Sequence, residues 1–420
     1  MGLRNSGNRQ HLSDTGHIDH PDARPSAASQ THSPLEVLLI FLKLGVSCFG
    51  GPIAHIGYFR DEFVVRRRWL DEQSYADLVA LCQFLPGPAS SQVGFSLGLM
   101  RAGYLGALAA WTGFTLPSAI ALVLFAFGAS GLSGPVGTGL VHGLKLVAVA
   151  IVAQAVWGMA RSLCPDRERA SIATVAAIVI LISSSSIAQI GAIVLGAVAG
   201  LRLCQAQQQA SDAAHIAMPV SRRVGLGAFA VFVALLVGLP LLARMWPGLG
   251  MFDAFYRSGA LVFGGGHVVL PLLREAAVAP GWISDDAFLT GYGAAQAVPG
   301  PLFTFAAYLG AVIGGVPGAI VGLIGIFVPG ILVLLAALPF WNSFRKRANA
   351  QAMMRGVNAA VVGILGAALY DPVWSTTVHR PLDVAIALAG FVLLTAWRAP
   401  PLLVVALCAA CGVATALFQS

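Results

Sequence analysis

Charged side chains are scarce in this chain: 10% of its 420 residues are Asp, Glu, Lys or Arg, against roughly a quarter in a soluble domain. Carboxylates are scarcest, with 18 Asp and Glu in all. The loops hold most of them, including Asp61, Glu62, Asp71, Glu72, Asp285 and Asp286. No paired-carboxylate or metal-clustered centre is legible, so a membrane-embedded enzyme has little support, and no cofactor or metal is expected. The six cysteines sit in or beside apolar segments, without the spacing of a secreted disulfide framework. Cys408 and Cys411 match a C-x-x-C pattern, but among small residues of a terminal apolar helix, where packing is the plainer reading. The first 33 residues lack an apolar core and carry His11, His17, His20 and His32, which reads as a disordered cytoplasmic tail and not as a signal peptide. The net charge of +7 has no basic folded surface to go with it, so nucleic acid is not an expected partner.

Apolar residues make up 57% of the chain and the mean hydropathy is +0.79. Stretches near the roughly 20 residues needed to cross a bilayer recur along its length, for example 172–202, 225–242 and 382–397. The expected fold class is therefore an all-α polytopic membrane protein whose main partner is the lipid bilayer.

The chain is also internally duplicated. Phe41 to Gly51 aligns without gaps on Phe255 to Gly265 at an offset of 214, and both segments end in Phe-Gly-Gly. Trp69 falls on Trp282, and Gln83 with Pro86-Gly87-Pro88 falls on Gln296 with Pro299-Gly300-Pro301, at an offset of 213. Gly106 and Pro117 fall on Gly318 and Pro329 at 212. Duplicated units are a common way to build secondary transporters. The expected segments are a tail (1–33), a first repeat (34–204), a cytoplasmic linker (205–224), a connecting helix (225–243) and a second repeat (252–418).

Loop cations run in opposite senses in the two copies. The first has Arg60, Arg66, Arg67 and Arg68 after its Phe-Gly-Gly segment, where the second has only Arg274. After the Pro117 segment the first has none, whereas the second has Arg345, Lys346, Arg347 and Arg355. Lys and Arg favour the cytoplasmic side, so the copies are expected to be inverted. If the Phe-Gly-Gly and Pro-Gly-Pro segments each return to the side they started from, the N-terminus is cytoplasmic and the C-terminus periplasmic.

Backbone breaks within lipid are tolerated only where protein or a watery cavity receives them, and freed helix N-terminal amides attract anions. The candidate substrate-binding residues are therefore Gly50, Gly51, Pro86, Gly87, Pro88, Gly264, Gly265, Gly266, Pro299, Gly300 and Pro301 at the breaks. Gln83 and Gln296 stand before the turns, and Ser90, Ser91 and Gln92 follow the first of them. Lys43 and Arg257 share one repeat position within apolar runs, where a cation normally faces a cavity or partner; snorkelling to the interface is the plain alternative. His55 and His267 follow the glycine breaks without being repeat equivalents, and are candidates for proton coupling.

Phe49 to Pro52, Phe263 to His267 and the two Pro-Gly-Pro turns resemble the bacterial chromate ion transporter family in its long, two-domain form, over roughly residues 35–417. The resemblance implies inner-membrane export of chromate, with sulfate as a structural mimic, driven by the proton gradient or the membrane potential. The residues by themselves suit a small oxyanion, and an anion channel would use the same breaks and cations. A homodimer is one open arrangement.

Overall fold

The computed structural model describes residues 33–49, 51–129, 134–183, 186–204, 219–263, 268–341 and 347–419. The expected N-terminal tail and most of the linker lie outside them. All regular structure among the described residues is helical.

Each copy begins with helices too short to cross a bilayer alone. In the first, α1 (Pro34–Ser47) and α2 (Gly51–Arg60) flank the Phe-Gly-Gly break, and α3 (Glu72–Phe84) leads into Pro-Gly-Pro. These have 14, 10 and 13 residues, or about 15–21 Å at 1.5 Å per residue against a hydrocarbon core of about 30 Å. The acidic loop residues start helices: Asp71 accepts from Ser74 N at 2.8 Å to cap α3. Ser284 accepts from Ala287 N at 3.2 Å at the matching start of the second copy's helix.

The following segment, α4 (Ala89–Ala129), is two antiparallel arms. Ala102 (φ −141°, ψ 29°) and Gly103 (φ 64°, ψ −157°) are non-helical, and the backbones of Gly98 and Gly106 touch. Eight residues of straight helix would hold them about 12 Å apart, so the chain reverses there. Only the second arm (104–129), about 39 Å long, has the length to span. Three 30-, 16- and 18-residue helices complete the copy: α5 (Gly134–Leu163), α6 (Arg167–Ile182) and α7 (Ser186–Leu203). The connecting helix α8 (Arg222–Met245) keeps nearly its whole apolar surface exposed, as contact with lipid requires.

The second copy repeats the order: α9 (Gly250–Ala260), α10 (Val269–Ala277), α11 (Asp285–Ala297), α12 (Phe305–Ala337), α13 (Ala348–Ala368), α14 (Pro381–Thr395) and α15 (Pro401–Gln419). The same reversal occurs in α12, at Gly314 (φ −143°, ψ 27°) and Gly315 (φ 63°, ψ −153°), and brings Gly310 against Gly318. Tandem units with broken helices are thus present in the structure as in the sequence.

The two units interleave. α5 packs on α14 and α15 of the second copy, while its counterpart α13 packs on α6 and α7 of the first. Glycines make the crossings: a Cβ on Gly139 would lie 2.6 Å from Gly412 O, and one on Gly356 would overlap Gly196 and Gly200. Small residues at such crossings let apolar helices approach closely enough for dispersion to hold them together in lipid. One core accordingly runs through both copies, with Val147 and Ile151 beside Phe255, Tyr292, Phe305 and Val361.

After α2 the chain makes a π-helical turn over Asp61–Arg66, in which Glu62 accepts from Arg66 (3.0 Å) and from Arg67. Burial pushes the Glu62 carboxyl up, but the two guanidiniums outweigh it and hold it below the usual carboxylate value. A depressed carboxylate contributes stability above its unfolded pKa and loses it as pH falls through the folded one. Hydrogen-exchange protection over residues 60–70, taken relative to the intrinsic rate at each pH, should therefore fall as pH falls through the acid range. In Glu62→Gln that pH-dependent step should be absent.

Candidate functional site

The four breaks are joined crosswise by backbone hydrogen bonds. Gly87 N–H, in the first Pro-Gly-Pro turn, donates to the carbonyl of Val262, just ahead of the second Phe-Gly-Gly, at 2.7 Å. Gly300 N–H, in the second turn, donates to the carbonyl of Cys48, just ahead of the first Phe-Gly-Gly, at 2.9 Å. Gly87 and Gly300 are repeat equivalents, as are Cys48 and Val262. Each copy therefore closes the break of the other, and the pair of bonds marks a local two-fold relation.

The turns need glycine there, since φ is +116° at Gly87 and +103° at Gly300. Each is also pressed against the second arm of the opposite copy. Gly87 lies on Gly330, while Gly300 lies on Ser118 and the Phe114 carbonyl. Sequence reasoning missed Ser118 and Gly330. They are 31 and 30 residues beyond their own copy's turns, and only the cross-copy packing assigns them a place.

Among the described residues a group of buried polar side chains gathers at the first turn. Ser90, Ser91 and Gln92 occupy the first turn of α4 and are all buried. Gln92 Nε2 donates to Pro86 O and to Gly330 O, both at 2.9 Å, which staples the first turn to the second copy. His55, fully buried on α2, has Nδ1 3.4 Å from Ser90 Oγ and its ring edge-on to Phe114. Among the described residues His55 Nε2, Ser91 Oγ and Gln92 Oε1 are buried without a hydrogen-bond partner. The second copy has Phe303, Thr304 and Phe305 where the first has Ser90, Ser91 and Gln92, and a valine where it has His55.

Gln296 is half-buried with Nε2 unpartnered, whereas Gln83 is exposed. Gly51 (φ +77°) has open space around its α-carbon. Gly50, Gly264, Gly265, Gly266 and His267 lie outside the described residues.

The two matched cations do not share surroundings. Lys43 is on the exposed side of α1 with no ion pair among the described residues. Arg257 is held bidentately by Asp253, one turn earlier on α9, at 3.0 and 2.7 Å. The pair lines a cavity of about 450 Å³ with Gln189, Ser258 and Glu275. Asp253 was readable from its i, i+4 spacing, and the first copy has Leu39 in its place. Asp253 is 4% exposed, so Arg257→Ala would leave a buried carboxylate without its partner, at about 1–3 kcal/mol. The double variant Asp253→Asn/Arg257→Gln should be milder than the single one in thermal unfolding of the purified protein.

The sequence signature described as "Chromate transporter" matches residues 35–201 and again 249–413. This chain belongs to the chromate transporter family. Its relatives include the chromate transport protein of Pseudomonas aeruginosa, 29% identical over 385 residues, which are 90% of this chain and 91% of that one. The chromate transport protein of Cupriavidus metallidurans is 27% identical over 349 residues, 81% of this chain and 82% of the relative. A probable chromate transport protein of Synechococcus elongatus is 28% identical over 338 residues, 78% and 82% of the two chains. No solved structure matches the chain. In this chromate transporter the two matched segments supply the breaks that are bonded crosswise.

Proposed function

We propose that this chromate transporter exports chromate across the bacterial inner membrane, taking the oxyanion from the cytoplasm at the crossed breaks. The observation that carries the reading is the buried, partly unpartnered polar group of His55, Ser91 and Gln92 at the N-terminus of α4, where first-turn amides favour an anion. His55 Nε2, Ser91 Oγ and Gln92 Oε1 are all sealed from solvent. Such closure suits a carrier that opens alternately to each side and not a continuously open pore.

Copies in opposite orientation fit the reversed loop cations and the reciprocal bonds, with the N-terminus cytoplasmic and the C-terminus periplasmic. An interior-negative potential then favours anion export by about 2.3 kcal/mol per elementary charge per 100 mV. His55 is the candidate proton carrier. Lys43 and Arg257 attract the anion toward the breaks.

The test is chromate accumulation by energised everted vesicles. Wild type should accumulate it, while His55→Ala should lose most of the maximal rate. Lys43→Ala and Arg257→Ala should raise the half-saturating concentration with a smaller effect on maximal rate. Normal transport by both cation variants would remove Lys43 and Arg257 from the site, and no accumulation by wild type would overturn the reading.

A further inference from the structure

Arg257 is bonded along one edge only. A guanidinium carries five N–H donors in a planar fork, and Asp253 takes the Nε and Nη2 edge at 3.0 and 2.7 Å. The Nη1–Nη2 edge has no partner among the described residues, and the side chain is 46% exposed where it lines the cavity of about 450 Å³. Asp253, one turn earlier on the same helix, is buried. The carboxylate thus fixes the plane of the guanidinium and leaves its second edge for a ligand.

A further part of the lining comes from the first copy. Gln189, near the start of α7, is 4% exposed and lines the same cavity, with Oε1 buried and without a hydrogen-bond partner among the described residues. By turning about its last bond the amide can offer its two N–H donors instead. At about 30 Å³ per water, the space takes a small ion together with several waters. The lining also includes Leu261, next in sequence to Val262, whose carbonyl accepts from Gly87 N–H at the crossed breaks.

Two parallel N–H groups on one guanidinium edge match two oxygens of one oxyanion, and charge-assisted bonds of this kind are the strong ones. A lysine ammonium offers no such edge. Glu275 of α10 lines the cavity too, next in sequence to Arg274, which is held by Asp285. Its negative charge opposes an anion and keeps the hold weak enough for the ion to move on.

We propose that this cavity is a second oxyanion site, separate from the crossed breaks, in which the free edge of Arg257 holds a tetrahedral dianion of the chromate and sulfate kind and Asp253 is the positioning residue. The role of the site, a staging place beside the breaks, rests on the transport reading; its chemistry does not. The first copy has Leu39 and Lys43 at the positions of Asp253 and Arg257, so the site occurs once per chain.

The experiment is phenylglyoxal modification of the purified full-length protein, read at Arg257 by peptide mass spectrometry, with sulfate or chromate present and chloride at matched ionic strength as the control. Either oxyanion, at about ten times its half-protecting concentration, should slow modification of Arg257 about tenfold, and chloride should not. His55→Ala, altered at the breaks, should keep the same half-protecting concentration. Asp253→Asn should raise it about tenfold, the loss of one charged hydrogen bond, and Asp253→Glu should restore most of it. Glu275→Gln should lower it. In vesicles Arg257→Lys, which keeps the charge and loses the edge, should raise the half-saturating chromate concentration as far as Arg257→Gln does.

No slowing in wild type, equal slowing by chloride, or loss of protection in His55→Ala overturns the inference. The first two need no variant, so a misfolded Asp253→Asn leaves the test intact. Vesicles that accumulate chromate while Arg257 stays unprotected leave the transport reading standing without this site. Protection of Arg257 without accumulation upholds the site and sinks that reading.

Discussion

Gly87→Ala should abolish chromate accumulation in vesicles that hold the variant at wild-type level, whereas Gly103→Ala should retain most of it. Both glycines have positive φ, +116° and +64°, but their surroundings differ. A Cβ on Gly87 would lie 2.8 Å from the Gly330 α-carbon and 3.0 Å from Gln92 Nε2. The first neighbour is backbone and cannot rotate away. The turn would have to leave α12, losing the Gly87 bond to Val262 O and both Gln92 bonds. Backbone strain of about 1–3 kcal/mol and about 1 kcal/mol per hydrogen bond together give about 4–6 kcal/mol.

Gly103 has nothing within 4 Å of where its Cβ would stand, which leaves only the backbone penalty of a conformation (φ 64°, ψ −157°) that glycine ordinarily holds alone, about 1–3 kcal/mol. Gly300→Ala should fall between them. Its closest obstacle is Ser118 Oγ at 2.8 Å, a side chain that can turn, and Ser118→Gly should restore part of the loss. Transport rates and thermal unfolding of the four proteins test the order. Equal losses in Gly87→Ala and Gly103→Ala would remove the crossed turns from the mechanism.

The second large effect concerns the interleaved helices. Residues 1–218 and 219–420, expressed separately, should each be degraded, and together they should reassemble and transport chromate. The first piece leaves α5 without α14 and α15, and the second leaves α13 without α6 and α7. Within the intact chain, Gly356→Val should cost more than about 3 kcal/mol, because the added atoms meet backbone at Gly196 and Gly200 on the facing helix. Stable accumulation of residues 1–218 alone would show that the first unit closes on itself, contrary to the packing described.

Much of this was legible beforehand because repeats and breaks are local in sequence. The matched Phe-Gly-Gly and Pro-Gly-Pro segments announced two broken-helix units, and apolar length announced the membrane. The polar turn at Ser90, Ser91 and Gln92 could be named from its place after a break. Which break meets which could not, because Gly87 and Val262 are joined by packing and not by pattern. The same limit hid Gly330 and Ser118. Lys43 and Arg257 looked alike by position, yet Asp253 occupies the Arg257 fork and nothing comparable faces Lys43 among the described residues. Burial separated Gln83, which is exposed, from Gln92, which is sealed.

The interleaving also fixes an order of events during synthesis. Gly139 on α5 waits for Gly412 on α15, some 273 positions later in the chain. At about 5–20 residues per second that is on the order of 15–55 s. Throughout that interval α5 is in the bilayer with its glycine seam turned to lipid, a solvent apolar enough to tolerate it but unable to fill it. A helix made some 273 positions later therefore completes α5, and a stop codon near residue 400 should be felt at residue 139.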